Sequence, residues 1–147
     1  MDRIYLDYNC FQRPFDDPSS ARIQIEAVAC IDLIRQADMQ LVELIWSFMH
    51  EDEARVCPFP ERRLETLRLA KLCARRQEPT EKIRAQALAL VGEHGLSPKD
   101  ALHLAAALAA KATCLLTCDD IFLRRAARTK LDIEVMNPVD YIRRQRR

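Results

Sequence analysis

The sequence predicts an α/β fold: an α/β/α sandwich whose central sheet is short-stranded and mainly parallel. Short apolar runs alternate with longer segments of helical period, an order that favours parallel strands joined through helices. The segment Leu102 to Lys111 is apolar on nearly every side, so it must be covered on nearly every side, against the sheet and under other helices. Acids stand at the ends of apolar runs, at Asp7 and at Asp119-Asp120, where an open α/β sheet gathers its ligands. At 147 residues the chain reads as a single domain over residues 1–147, large enough to bury a core without disulfides.

Ile4 to Leu6 reads as a first strand ending at Asp7, and the polar, proline-containing segment from Asn9 to Pro18 as a loop. Ser19 or Ser20 caps a helix to about Gln36, in which Ile23, Ala27, Cys30, Ile31 and Ile34 recur at helical spacing. Met39 to Leu44 offers a second strand, and Trp46 to Ala54 a short helix stopped before Pro58 and Pro60. Glu61 to Arg75 and the segment from Pro79-Thr80 through Val91 are both amphipathic and predict a helical hairpin. Ser97-Pro98-Lys99-Asp100 is a strong helix start, with Ser97 as cap and Pro98 at the first helical position. Thr113 to Thr117 is a buried strand, Asp120 to Arg128 a basic helix, Ile133 to Met136 a last strand and Pro138 to Arg143 a closing helix.

The 23 basic and 22 acidic residues leave a formal charge of +1. No overall basic field announces a nucleic-acid partner, so local patches must supply any such contact. The six cysteines, Cys10, Cys30, Cys57, Cys73, Cys114 and Cys118, are scattered through apolar runs without a CxxC pair or a Cys/His cluster, which predicts buried, reduced thiols. No apolar stretch has the length of a signal peptide or a membrane span, so a cytoplasmic protein without membrane association is expected.

Asp7, Asp119 and Asp100, which heads the alanine-rich helix, would meet in the crevice beyond the strand ends. Carboxylates that close cannot all stay ionised without compensation, and a bound hard cation is the usual compensation.

Four segments extend this reading: Ile4-Tyr5-Leu6-Asp7-Tyr8-Asn9 with the following Arg13-Pro14-Phe15-Asp16-Asp17, Ser97 to Ala105, Leu116-Thr117-Cys118-Asp119-Asp120-Ile121-Phe122-Leu123, and Val135 to Tyr141. In order and separation they resemble the PIN-domain ribonucleases, the family of the VapC-type toxins of bacterial and archaeal toxin–antitoxin systems. The Arg-Pro-Phe-Asp-Asp loop is similar to that of one PIN subgroup. The resemblance implies an α/β/α sandwich and an endoribonuclease that uses Mg²⁺ or Mn²⁺ to hydrolyse RNA phosphodiester bonds. It also implies, in many relatives, a small antitoxin partner and a homodimer.

Carried over position by position, Asp7 matches the family's first acid, Asp100 its helix-borne acid and Asp119 the acid after the later strand. The second acid falls on the helix after strand two, where Trp46 to Glu53 departs from the usual pattern; Glu53 is taken first and Glu51 stays open. Asp120 would assist through a metal-bound water. That departure also keeps a catalytically silent PIN-fold module, binding RNA or protein, as the alternative. Thr117 fits a supporting hydroxyl, and Asn9 fits a residue that positions substrate or orients Asp7. Arg13, Arg124 and Arg125, with Arg22 and Arg128, would hold RNA phosphates. His103 reads as a core histidine, and His50 and His94 carry no signal. A phospho-acceptor domain also gathers acids at strand ends, but it would want paired acids after strand one and a lysine beyond a late strand, and neither is present in convincing form.

Overall fold

Successive strand residues point to opposite faces of a sheet, and here both faces are apolar. In the computed structural model, which describes residues 1–147, five strands form one sheet: β1 (Arg3–Leu6), β2 (Glu43–Ser47), β3 (Arg75–Gln77), β4 (Cys114–Leu116) and β5 (Glu134–Met136). Their order is β3-β2-β1-β4-β5 and every pairing is parallel. Eight helices accompany them: α1 (Tyr8–Gln12), α2 (Ala21–Asp38), α3 (Phe48–Val56), α4 (Pro60–Ala70), α5 (Glu81–His94), α6 (Pro98–Ala109), α7 (Asp120–Ala126) and α8 (Pro138–Gln145). No helix is long and apolar enough to cross a membrane.

Ile4, Leu6, Leu44, Trp46, Cys114 and Leu116 enter one core with Phe11, Cys30, Leu33, Ala70 and Tyr141 from the helices of that face. Tyr5, Ile45 and Leu115 enter the other, with Ile83, Leu90, Leu104, Phe122 and the alanines of α6. Ala101, Ala105, Ala106 and Ala107 are fully buried, and their small side chains let α6 lie close to the sheet. The chain winds outward from β1 to β2 and β3, then returns to build β4 and β5 on the other side of β1. The switch point between β1 and β4 is where such sheets open a crevice.

Three expectations are corrected. The segment after strand one is not an open loop: α1 and a 3-10 turn at Arg13–Phe15 occupy it, because Cys10 and Phe11 are fully buried and pull the backbone into a turn of helix. The second strand begins at Glu43 rather than Met39, since α2 runs on to Asp38 and Gln40 takes a left-handed turn conformation with φ 61°. The amphipathic segments of α4 and α5 do not form a hairpin. β3 separates them; Ala70 of α4 enters one core, while α5 packs beside α6 in the other. β3, Arg-Arg-Gln, lacked an apolar signal because it is an edge strand, and charge on an edge guards against further pairing.

Leu104 is fully buried and Leu88 is 59% exposed. Leu104→Ala is expected to cost about 2–5 kcal/mol and Leu88→Ala within about 0.5 kcal/mol, both read from urea denaturation midpoints.

Candidate active site

β1 ends at Leu6, and Asp7 turns into the crevice while its backbone N–H still donates to the Leu116 carbonyl at 2.8 Å. Its Oδ2 accepts from the Thr117 hydroxyl at 2.8 Å and from the Asn9 amide at 3.2 Å. Asn9 also donates to Thr117 Oγ1 at 3.1 Å and accepts the Cys118 N–H at 3.2 Å, stitching the ends of β1 and β4 together. Asp7 Oδ1 lies on the other side, 3.8 Å from His103 Nε2. The metal-ligating atoms of Asp7, Glu53 and His103 lie within 4.8 Å of one another.

Glu53 comes from α3, which a reciprocal cap starts: Ser47 Oγ accepts the Met49 N–H at 3.2 Å, and His50 Nδ1 accepts the Ser47 N–H at 2.9 Å. The proton of His50 therefore sits on Nε2, which donates to the Leu6 carbonyl at 2.5 Å. Burial, reinforced by His103, pushes His50 down to about 3, so the ring is neutral. This contact ties the start of α3 to the residue before Asp7, and Glu53, three residues beyond His50, lies on the same helix face.

The His103 ring is fully buried and bridges two groups. Nε2 hydrogen-bonds Glu53, and Nδ1 lies 2.6 Å from the Tyr5 hydroxyl, which lies 2.7 Å from Ser47 Oγ. Burial drives the Tyr5 hydroxyl well above its ordinary range, so Tyr5 keeps its proton. The contacts thus run in one chain from Ser47 through Tyr5 and His103 to Glu53.

Asp100 occupies the first turn of α6, whose cap is Ser97, accepting the Asp100 N–H at 3.1 Å. Asp119 caps α7 through Oδ1, at 2.8 Å from the Ile121 N–H and 3.2 Å from that of Phe122. Burial raises the Asp7 carboxyl above its usual range against the pull of His103 and Thr117, and Glu53 adds to the rise. Burial also raises Asp100, followed by the charge of Asp7 and, more weakly, that of Asp119. Lys99 Nζ lies 3.4 Å from Glu53 Oε2; burial opposes its charge, but Glu53 and Asp7 outweigh this and raise it. Carboxylates gathered at this edge, with the His103 ring hydrogen-bonded to Glu53, are a donor set suited to a hard divalent ion.

The structure thus brings Asp7 and Glu53 together with His103 and sets Asn9 and Thr117 on Asp7, while Asp100 stands near enough for the charges of Asp7 and Asp119 to act on it. It places three other named residues elsewhere. Glu51 faces away, its Oε2 accepting the Trp46 indole N–H at 2.8 Å. Asp120 is held by Arg22 through contacts of 2.7 and 2.8 Å. Arg13 is turned inward, pairing with Asp16 at 3.0 Å and Glu26 at 3.3 Å, so it is not free for RNA. Arg124 and Arg125 lie in the last turn of α7, Arg124 exposed and Arg125 half-buried. The reading of the residues took His103 as a core histidine, and the ring is fully buried; what it did not give is the contact with Glu53, from a position whose spacing of three from Asp100 puts both on one face of α6. It also missed Lys99, Tyr5 and the Ser47–His50 cap.

The family profile described as PIN domain matches residues 4–128, a span that contains Asp7, Glu53, Asp100 and Asp119. Among solved structures, the crystal structure of VapBC2 from Rickettsia felis bound to a DNA fragment from their promoter includes a chain of similar fold. The TM-score is 0.55 at 16% identity, covering 92% of this chain and 98% of that one. No curated protein matches the sequence. With the profile spanning most of its length, the chain belongs to the PIN-domain family.

Proposed function

We propose that this protein is a divalent-metal-dependent endoribonuclease, acting as the toxin of a toxin–antitoxin pair with a small antitoxin protein as its partner. The observation that carries the reading is the meeting of Asp7 and Glu53 at the switch point of a parallel sheet, with Asp100 near enough to feel the charge of Asp7. Family membership and the fold shared with a VapBC2 chain support it. Asp7 Oδ1, Glu53, Asp100 and Asp119 would hold Mg²⁺ or Mn²⁺, which supplies Lewis-acid polarisation of a phosphodiester and a more acidic water.

The chain's own residues have separate tasks. Thr117 and Asn9 occupy Oδ2 of Asp7 and leave Oδ1 turned inward. His103, held by Tyr5, fixes the Glu53 carboxylate by hydrogen bonding. Lys99, 60% exposed at its side chain, stands at the rim, where its ammonium would meet a phosphate oxygen; Arg124 and Arg125 would extend that contact along the RNA backbone.

Loss of second-shell partners alone typically lowers metal affinity or activity about 10–100-fold, so loss of a ligand should do more. Asp7→Asn is expected to cut cleavage of a mixed single-stranded and structured RNA pool by more than about 100-fold, with unchanged circular dichroism, and EDTA should abolish cleavage by the parent. Equal cleavage by parent and variant would remove the proposal, and so would a folded parent that cuts no RNA with Mn²⁺ or Mg²⁺.

The raised Asp7 and Asp100 carboxyls also give a signed pH dependence. Their ionisation costs no stability below the ordinary carboxylate range, about pH 4. The cost grows as pH rises through their raised values, and a cation that neutralises them recovers it. The melting-temperature gain of Mn²⁺ over EDTA should therefore be near zero in acid and increase toward neutrality. Taking this difference at each pH cancels the opposite contributions of Glu43 and Asp120, held low by Arg75 and Arg22. A gain independent of pH would contradict the assignment.

A further inference from the structure

Behind the acids, on the face of the sheet covered by α2, three thiols meet. Cys10 lies on α1, Cys30 on α2 and Cys118 between β4 and α7. Their sulfurs lie within 4.8 Å of one another; the residues are 0%, 0% and 4% exposed, and no disulfide joins them. Sulfurs that share one ion at Zn–S bonds of about 2.3 Å stand about 4 Å apart, a spacing these thiols can reach by small shifts of side chains already in contact.

The surroundings are not those of plain apolar packing. The Arg13 guanidinium pairs with Asp16 at 3.0 Å and with Glu26 at 3.3 Å, and its charge acts on Cys118. The acids beside Arg13 have other cations: Asp16 also pairs with Arg62, and Glu26 with Arg22. Three thiolates around a divalent ion carry one net negative charge, which the nearby Arg13 cation would favour.

We propose that Cys10, Cys30 and Cys118 form a buried thiolate site for a thiophilic divalent cation, of which Zn²⁺ is the ordinary cellular example. The hydrated ion loses waters as three metal–sulfur bonds form, and three S–H protons leave to solvent. Soft thiolates select such an ion, whereas the carboxylate edge suits Mg²⁺ or Mn²⁺, so the two sites do not compete for one metal. The site would also pin the acid-bearing segments: Cys10 follows Asn9 directly, and Asn9 accepts the Cys118 N–H at 3.2 Å and donates to Asp7.

The test uses the full chain, reduced, with Cys57 and Cys73 replaced by alanine so that the half-buried thiols do not contribute. Co²⁺ is titrated as a coloured probe and then displaced by Zn²⁺. One equivalent of Co²⁺ should give sulfur-to-cobalt charge-transfer absorption, and Zn²⁺ should bleach it and raise the melting temperature. Cys30→Ala, which keeps a small apolar side chain in the core, should abolish both effects, as should Cys30→Ser if the alanine variant does not fold. Asp7→Asn should retain both. The proposal is overturned if the folded protein shows no band, if the band survives loss of Cys30, or if it vanishes in Asp7→Asn alone. None of these readouts requires RNA cleavage, so this site and the nuclease reading stand or fall separately.

Discussion

Burial of carboxylates at the carboxyl edge of β1 and β4 is the constraint around which the structure is arranged. Asp7 is 4% exposed and Asp100 9%, Glu53 leans on the same space, and an ionised carboxylate withdrawn from water needs a partner. The protein supplies some of that partnership: hydroxyl and amide donors on Asp7 Oδ2, the His103 ring on Glu53 and the Lys99 ammonium at the rim. Burial still holds the Asp7 and Asp100 carboxyls above their usual range, so these partners do not fully offset the loss of water. Under the proposed function, a hard cation among the acids would complete the balance.

The rest of the fold delivers these side chains. Parallel pairing of β1 with β4 puts Asp7 beside Thr117 and draws Asp119 to the same edge. The alanines of α6 let the helix approach the sheet, so Asp100 and His103, one turn apart, reach the crevice from the side. His50 joins the start of α3 to the Leu6 carbonyl, and that contact sets the rotation of α3. With His50 pointing at β1, Glu53 follows it to Asp7, while Glu51 is carried round the helix to Trp46. Cys10 and Cys118 form the floor of the same junction on the opposite face of the sheet.

Much of this was legible in the residues, for identifiable reasons. Strands β1 and β4 announce themselves as short apolar runs ending in acids, and α6 by Ser97-Pro98 and its alanines; each signal is local. β3 and α1 were not legible, because β3 is three polar residues paired only to β2 and α1 is a single buried turn. The partner of α5 was misjudged because amphipathic faces say that something covers them without saying what. At the site, Asp7 and Asp100 could be read from position, but the choice between Glu53 and Glu51 could not: it depends on the rotation of α3, set by a hydrogen bond between residues 44 apart in sequence. The inward turn of Arg13 and the meeting of the three thiols likewise depend on how α2 packs.

Mn²⁺ binding, followed by calorimetry for the parent, Glu53→Gln and Glu51→Gln, tests most directly whether a cation balances this carboxylate edge. The account predicts that Glu53→Gln weakens binding at least about tenfold, the scale seen when groups that support a metal are lost, and that Glu51→Gln binds as the parent does. Binding lost in Glu51→Gln, or unchanged in Glu53→Gln, would contradict it.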